Sequence, residues 1–100
     1  MSAGHYVVVT FKTTADNQNQ AVNDIADYVA TFLSQQPGFI QSQLLASNDG
    51  QSIVHQAQWT DEAAFQAAGV LARKHPDLPK LMVYEPKGMG YRRVGTFQAG

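Results

Sequence analysis

Phe39–Ser47, FIQSQLLAS, and Gln51–Thr60, QSIVHQAQWT, are two strand-like runs joined by Asn48-Asp49-Gly50. An Asp-Gly pair between alternating runs is a hairpin signal, because glycine reaches the positive φ that a tight turn needs. With Asp49 and Gly50 as the turn residues, Ile40, Ser42, Leu44 and Ala46 face Trp59, Ala57, His55 and Ile53 on one side of the ribbon. Gln41, Gln43 and Leu45 then face Gln58, Gln56 and Val54 on the other. A one-residue slip would exchange the two faces, so the apolar side must be the one that meets the rest of the chain. The glutamine-rich side points outward. Four neutral amides mixed with Leu45, Val54 and Phe39 fit a polar-lined interface with a second copy better than a water-facing sheet, although plain exposure is the alternative.

Upstream, His5–Lys12 (HYVVVTFK) is rich in β-branched and aromatic residues and predicts a strand. Thr13-Thr14-Ala15-Asp16 offers capping side chains for a helix in which Val22, Ile25, Ala26, Val29, Phe32 and Leu33 recur at three- and four-residue spacing. Pro37-Gly38 stops it. Downstream, Asp61-Glu62 opens a second helix, where the dipole favours acidic residues, and Phe65, Ala68 and Leu71 give it a buried side. Pro76 ends that helix, Asp77–Lys87 is a structured connection with two prolines, and Tyr91–Phe97 alternates as a last strand. The order β-α-β-β-α-β is the ferredoxin-like split βαβ arrangement, an α+β fold with both helices on one face of an antiparallel sheet. Residues 1–100 form one domain, with a core of about 5–97. The open sheet face needs a cover, and self-association supplies the simplest one.

The chain has 100 residues, 44% of them hydrophobic, and a formal net charge of −1. Seven basic and eight acidic residues leave no electrostatic footprint for nucleic acid. Only 15% of residues are charged, against eleven glutamines and four asparagines, so polar surface is built from amides rather than ion pairs. The absence of cysteine excludes a disulfide scaffold, thiol catalysis, thiolate zinc and iron–sulfur clusters. No apolar run is long enough for a membrane, and Met1–His5 does not read as a signal peptide, so the expected location is the cytoplasm.

On the apolar face of the hairpin, His55 is the one titratable side chain between sheet and helices, with Trp59 two positions further along the same face. A near-neutral imidazole there can take a proton from a bound molecule and return it. The plain alternative is a core histidine satisfied by a backbone carbonyl. Trp59 is either core packing or a ligand-facing indole whose N–H needs a partner. Leu44 and Ile40 would wall a ligand on that face. His5 lies at a fraying terminus, and His75 at a helix end suits the dipole. Histidines at 5, 55 and 75 lack metal-ligand spacing. Arg92 and Arg93 would send one side chain to each face of the last strand. No phosphate-binding glycine loop and no serine-nucleophile motif occurs.

The element order, Gln36-Pro37-Gly38-Phe39 before the second strand, and Val54-His55-Gln56-Ala57-Gln58-Trp59 ahead of an acidic helix start together resemble the antibiotic biosynthesis monooxygenase family. The resemblance runs from about Val7 to Val94. It implies a homodimeric α+β barrel with two sheets packed face to face and a site between each sheet and its own helices. Within the family the chain is most similar to small anthrone oxygenases, which form quinones with molecular oxygen and no added cofactor. The resemblance places the family's strand tryptophan on Trp59. It places an asparagine of those oxygenases on His55 and a pocket tyrosine on Phe65, so two of three positions depart from the pattern. The implied function is cofactor-independent oxidation of a small anthrone- or hydroquinone-like aromatic to a quinone. A cofactor-free isomerase or lyase and a non-enzymatic small-molecule binding module are the alternatives. Haem degradation, which relatives perform with a strand-one asparagine and a helix histidine, is disfavoured by Val7, Val9 and the lack of a histidine in the second helix before His75.

Overall fold

The structure, a computed structural model, describes residues 4–100; the N-terminal reading against a signal peptide falls partly on 1–3, outside the described residues. Its elements are β1 (His5–Lys12), α1 (Gln18–Thr31), β2 (Phe39–Ala46), β3 (Ser52–Trp59), α2 (Glu62–Ala72), α3 (Leu78–Met82) and β4 (Lys87–Tyr91). The four strands form one antiparallel sheet in the order β2-β3-β1-β4. This is the ferredoxin-like α+β fold, and the sheet is open, with β2 and β4 as its edges.

The strands follow from their alternation. On β1 the buried residues are Val7 and Phe11, while on β3 Ile53, His55, Ala57 and Trp59 are all buried and the residues between them are partly exposed. The period of two puts these side chains on one face, under the helices. α1 contributes Ala21, Ile25 and Tyr28, one residue per turn on a single stripe, with Val22, Val29, Phe32 and Leu33 alongside. The expected stripe also held Ala26, which is exposed because it falls on the far side of the Ile25–Tyr28 line. At the start of α1, Thr14 N–H donates to Asn17 Oδ1 at 2.8 Å and Asn17 N–H to Thr14 Oγ1 at 3.2 Å. Thr13 is used elsewhere: its hydroxyl donates to the Gly50 carbonyl at 2.7 Å and ties the hairpin loop to the end of β1. Gly50 has φ of 79°, and a Cβ there would lie 2.8 Å from Ala15 Cα, so both conformation and space demand glycine.

Two expectations about the sheet are corrected. The hairpin register holds from Gln41↔Gln58 to Ala46↔Ile53, but a bulge between Phe39 and Gln41 breaks it at the far end. Phe39, not Ile40, therefore faces Trp59, and Ile40 is half-exposed. A bulge adds one residue and returns the next side chain to the opposite face, which two adjacent apolar residues cannot reveal in sequence. The last strand is Lys87–Tyr91 rather than Tyr91–Phe97. Its glycines sit at inward positions, Gly90 opposite Val7 and Gly88 opposite Val9, while Lys87, Met89 and Tyr91 point outward. The sequence KGMGY thus alternates with the inward side chain deleted. Asp77–Lys87, expected as a structured connection, holds the short helix α3, and Leu81 and Tyr84 from it enter the core. No helix among the described residues is long and apolar enough to cross a membrane.

Candidate active site between sheet and helices

The core under the helices is divided in two. One cluster joins Phe11, Ile53, Ala21, Ile25, Tyr28, Leu81 and Tyr84; the other joins Val7, Ala57, Trp59 and Ala68. His55 sits on β3 between Ile53 of the first and Ala57 of the second, flanked across the sheet by Val9 on β1 and Leu44 on β2. It is 4% exposed. Burial among aliphatic neighbours penalises the charged form and pushes its pKa below 6.5. The imidazole is therefore held neutral, the state in which it can accept a proton.

Trp59 is fully buried, edge-on to Phe39 at 5.3 Å and to Phe65 at 5.7 Å. Among the described residues, two buried side-chain polar atoms lack a hydrogen-bond partner: His55 Nε2 and Trp59 Nε1. Leaving such a group unpaired costs about 1–3 kcal/mol, so two on one face of one strand need a physical reason. His55 Nε2 bonds no group among the described residues. Both atoms lie on the side of the sheet covered by α1 and α2.

Of the other expected wall residues, Leu44 is half-buried beside His55 and Phe65 half-buried beside Trp59. Ile40 turns away at the bulge. One expectation for α2 is corrected: Leu71, placed on its buried side by spacing, faces outward because it falls beyond the edge of the short Ala64–Ala68 face. Leu71 and Met82 are 51% and 53% exposed, and Tyr84 directs its hydroxyl to Asp24 at 3.1 Å. The buried face of α2 is Ala68 with Ala64 and Phe65 beside it, so the second helix covers the sheet thinly. α2 is held at its start by Asp61, whose carboxylate accepts from Ala64 N–H at 2.8 Å.

His75 is a structural residue. Its Nδ1 accepts from Asp77 N–H at 3.0 Å, and its ring packs on Tyr28 and Phe32 at 5.1 and 4.6 Å. Arg92 and Arg93 follow β4 instead of lying within it; Arg93 hydrogen-bonds the Tyr6 hydroxyl and sits over its ring. Two residues beside Trp59 escaped the sequence reading. Phe39 was hidden by the bulge. His5 was legible: counting back by two from Val7 places it on the helix-facing side, and it pairs with Trp59 across β1 and β3. No cluster of three or more potential metal ligands occurs among the described residues.

The outer face carries the amides. Gln41 bonds Gln58 at 3.2 Å and Gln43 bonds Gln56 at 2.6 Å, so the four satisfy one another in cross-strand pairs. Leu45, Met89 and Tyr91 stand half-exposed or more on the same face.

The chain is similar in structure to the monooxygenase from the gene ActVA-Orf6 of Streptomyces coelicolor, solved in complex with nanaomycin D. The TM-score is 0.74 at 27% identity, covering 98% of this chain and 94% of that one. SnoaB from Streptomyces nogalater, a cofactor-independent oxygenase, aligns with a TM-score of 0.75 at 23% identity over 98% of this chain and all of that one, a level that carries the fold. No curated protein matches the sequence. A family-model match and the likeness to the ActVA-Orf6 monooxygenase together support a monooxygenase-type function. The antibiotic biosynthesis monooxygenase family model matches residues 4–69, which takes in β1, α1, the central hairpin and the first part of α2, and the chain belongs to that family.

Proposed function

We propose that the chain is a cofactor-independent monooxygenase that oxidises a small anthrone- or hydroquinone-like aromatic, of the polyketide type, to a quinone with molecular oxygen. The carrying observation is the pair of unpartnered buried atoms, His55 Nε2 and Trp59 Nε1, on one apolar face. In this reading the flat substrate lies against Leu44 and Phe65. Neutral His55 removes the acidic C–H proton of an anthrone, and Trp59 Nε1–H donates to the ring oxygen that gains charge. The carbanion passes one electron to oxygen, and the resulting radical and superoxide combine to a peroxide. His55 returns its proton to the peroxide, and the second C–H proton leaves as the O–O bond breaks and the carbonyl forms, so one CH2 and one O2 give one carbonyl and one water. The electrons come from the substrate itself.

A cytoplasmic homodimer is part of the proposal. Its support is the outer face, where paired amides and half-exposed Leu45, Met89 and Tyr91 make a mixed surface suited to a second copy.

Oxygen uptake by metal-free protein given a simple anthrone tests the reading. Loss of a positioned general base lowers turnover by about 10²–10⁴-fold, and His55→Ala should fall by that order. Uptake no faster than spontaneous oxidation would sink the oxygenase assignment; full turnover in His55→Ala would remove the histidine from the chemistry.

A further inference from the structure

His5 opens β1 on the helix-facing side, opposite Trp59, with its ring 5.9 Å from Phe65. The adjoining edge strand leaves room for it: a Cβ on Gly90 would come within 2.9 Å of His5 Cε1 and 3.2 Å of Nε2. The imidazole borders a shallow, open cleft of about 550 Å³, whose other sides are Glu62 at the start of α2 and Gly90, Tyr91, Arg92 and Val94 at and beyond the end of β4. Arg93 is engaged with Tyr6, whereas Arg92 makes no hydrogen bond or ion pair with the described residues. A permanent cation and an imidazole thus face open space one ring away from the tryptophan of the candidate site.

We propose that this cleft receives a carboxylate-bearing arm of the substrate, held by Arg92 and His5 while the aromatic body lies against Phe65 and Trp59. The proposal rests on the aromatic-substrate reading above and adds the substituent that the substrate carries. The guanidinium's planar fork matches a carboxylate, and an imidazole offers an N–H donor in either protonation state. Glu62 opposes the arm from the far wall. Five guanidinium donors suffice to face both carboxylates, so Glu62 lowers the affinity without abolishing it.

Trp59 is the sole tryptophan, so its fluorescence reports binding of product-like ligands that undergo no turnover. The probes are anthraquinone and anthraquinone-2-carboxylate. Charge-assisted hydrogen bonds of this kind should make the carboxylate bind about tenfold tighter at low salt, with the ratio shrinking as salt rises. Arg92→Gln carries the test, because Arg92 lies on the exposed segment beyond β4 where substitution does not threaten folding. It should reduce the ratio several-fold, and so should Gly90→Ala, which pushes the His5 ring aside. Glu62→Gln should raise the ratio, and Lys74→Gln, the same charge change as Arg92→Gln but outside the cleft, should leave it alone. Equal binding of the two probes, or a ratio that survives Arg92→Gln, overturns the arm site while sparing the aromatic site. Binding of neither probe overturns the aromatic reading and the arm site with it.

Discussion

The two halves of the core are built from the same sheet but serve different ends. Around α1, Ile25, Tyr28, Phe11 and Ile53 interlock, and Leu81 and Tyr84 close the group from the C-terminal side. Around α2, the helix offers chiefly alanine to the sheet, and the one large buried side chain, Trp59, has an indole N–H with no partner. The first half removes large aliphatic and aromatic surfaces from water. The second leaves a polar atom unsatisfied and its helix loosely applied. A fold that needs about 5–15 kcal/mol in total can draw it from one half and leave the other shaped for a ligand.

The largest expected effect comes from breaking the tight half. Ile25 is 1% exposed, and Ile25→Ala should cost about 2–5 kcal/mol, the transfer term plus the cavity left where neighbours cannot collapse. Urea denaturation measures it. A cost below 1 kcal/mol would mean that the α1 half is not where the stability resides.

A smaller effect, opposite in kind, is expected in the other half. Trp59→Phe keeps an aromatic ring against Phe39 and Phe65 and deletes the unpaired N–H. Loss of packing volume and relief of an unsatisfied donor of about 1–3 kcal/mol act in opposite directions, so stability should change by no more than about 1 kcal/mol. Anthrone turnover should nevertheless drop about tenfold or more, as the donor to the substrate oxygen is gone. A variant that is strongly destabilised would make Trp59 a core residue of the ordinary kind and erase the contrast between the halves.

The division between the halves was only partly legible in the sequence. The alternation Ile53, His55, Ala57, Trp59 is read directly off the chain, and with the Asp49-Gly50 turn it located both key residues and most of the hairpin register. Periodicity failed where a backbone irregularity or a missing side chain carried the information. The bulge exchanged Phe39 for Ile40 beside Trp59, and the inward glycines hid KGMGY as a strand, although Gly90 makes room for His5. The unpartnered state of His55 Nε2 and Trp59 Nε1 is a property of everything packed around them, so no local pattern encodes it. His5 is the instructive miss, since the same period of two that placed His55 also placed it.

The smallest effect concerns the residue at the boundary of the halves. Burial lowers the pKa of His55 below the 6.5 of an exposed imidazole. Between the folded and unfolded values the unfolded chain binds more protons, so stability rises with pH across that window. It should therefore be constant above the unfolded value, fall as pH drops from about 6.5 toward the lower folded value, and level off beneath it. His55→Gln keeps a polar side chain of similar reach without a titrating group, so it should remove this portion of the slope while leaving the part due to carboxylates at lower pH. Turnover should follow the folded value instead, holding its base form to more acidic pH than an exposed histidine would. If stability and turnover lost their dependence at the same pH in the wild type, the imidazole would not be buried in the folded chain, and the boundary between the two halves would be open to water.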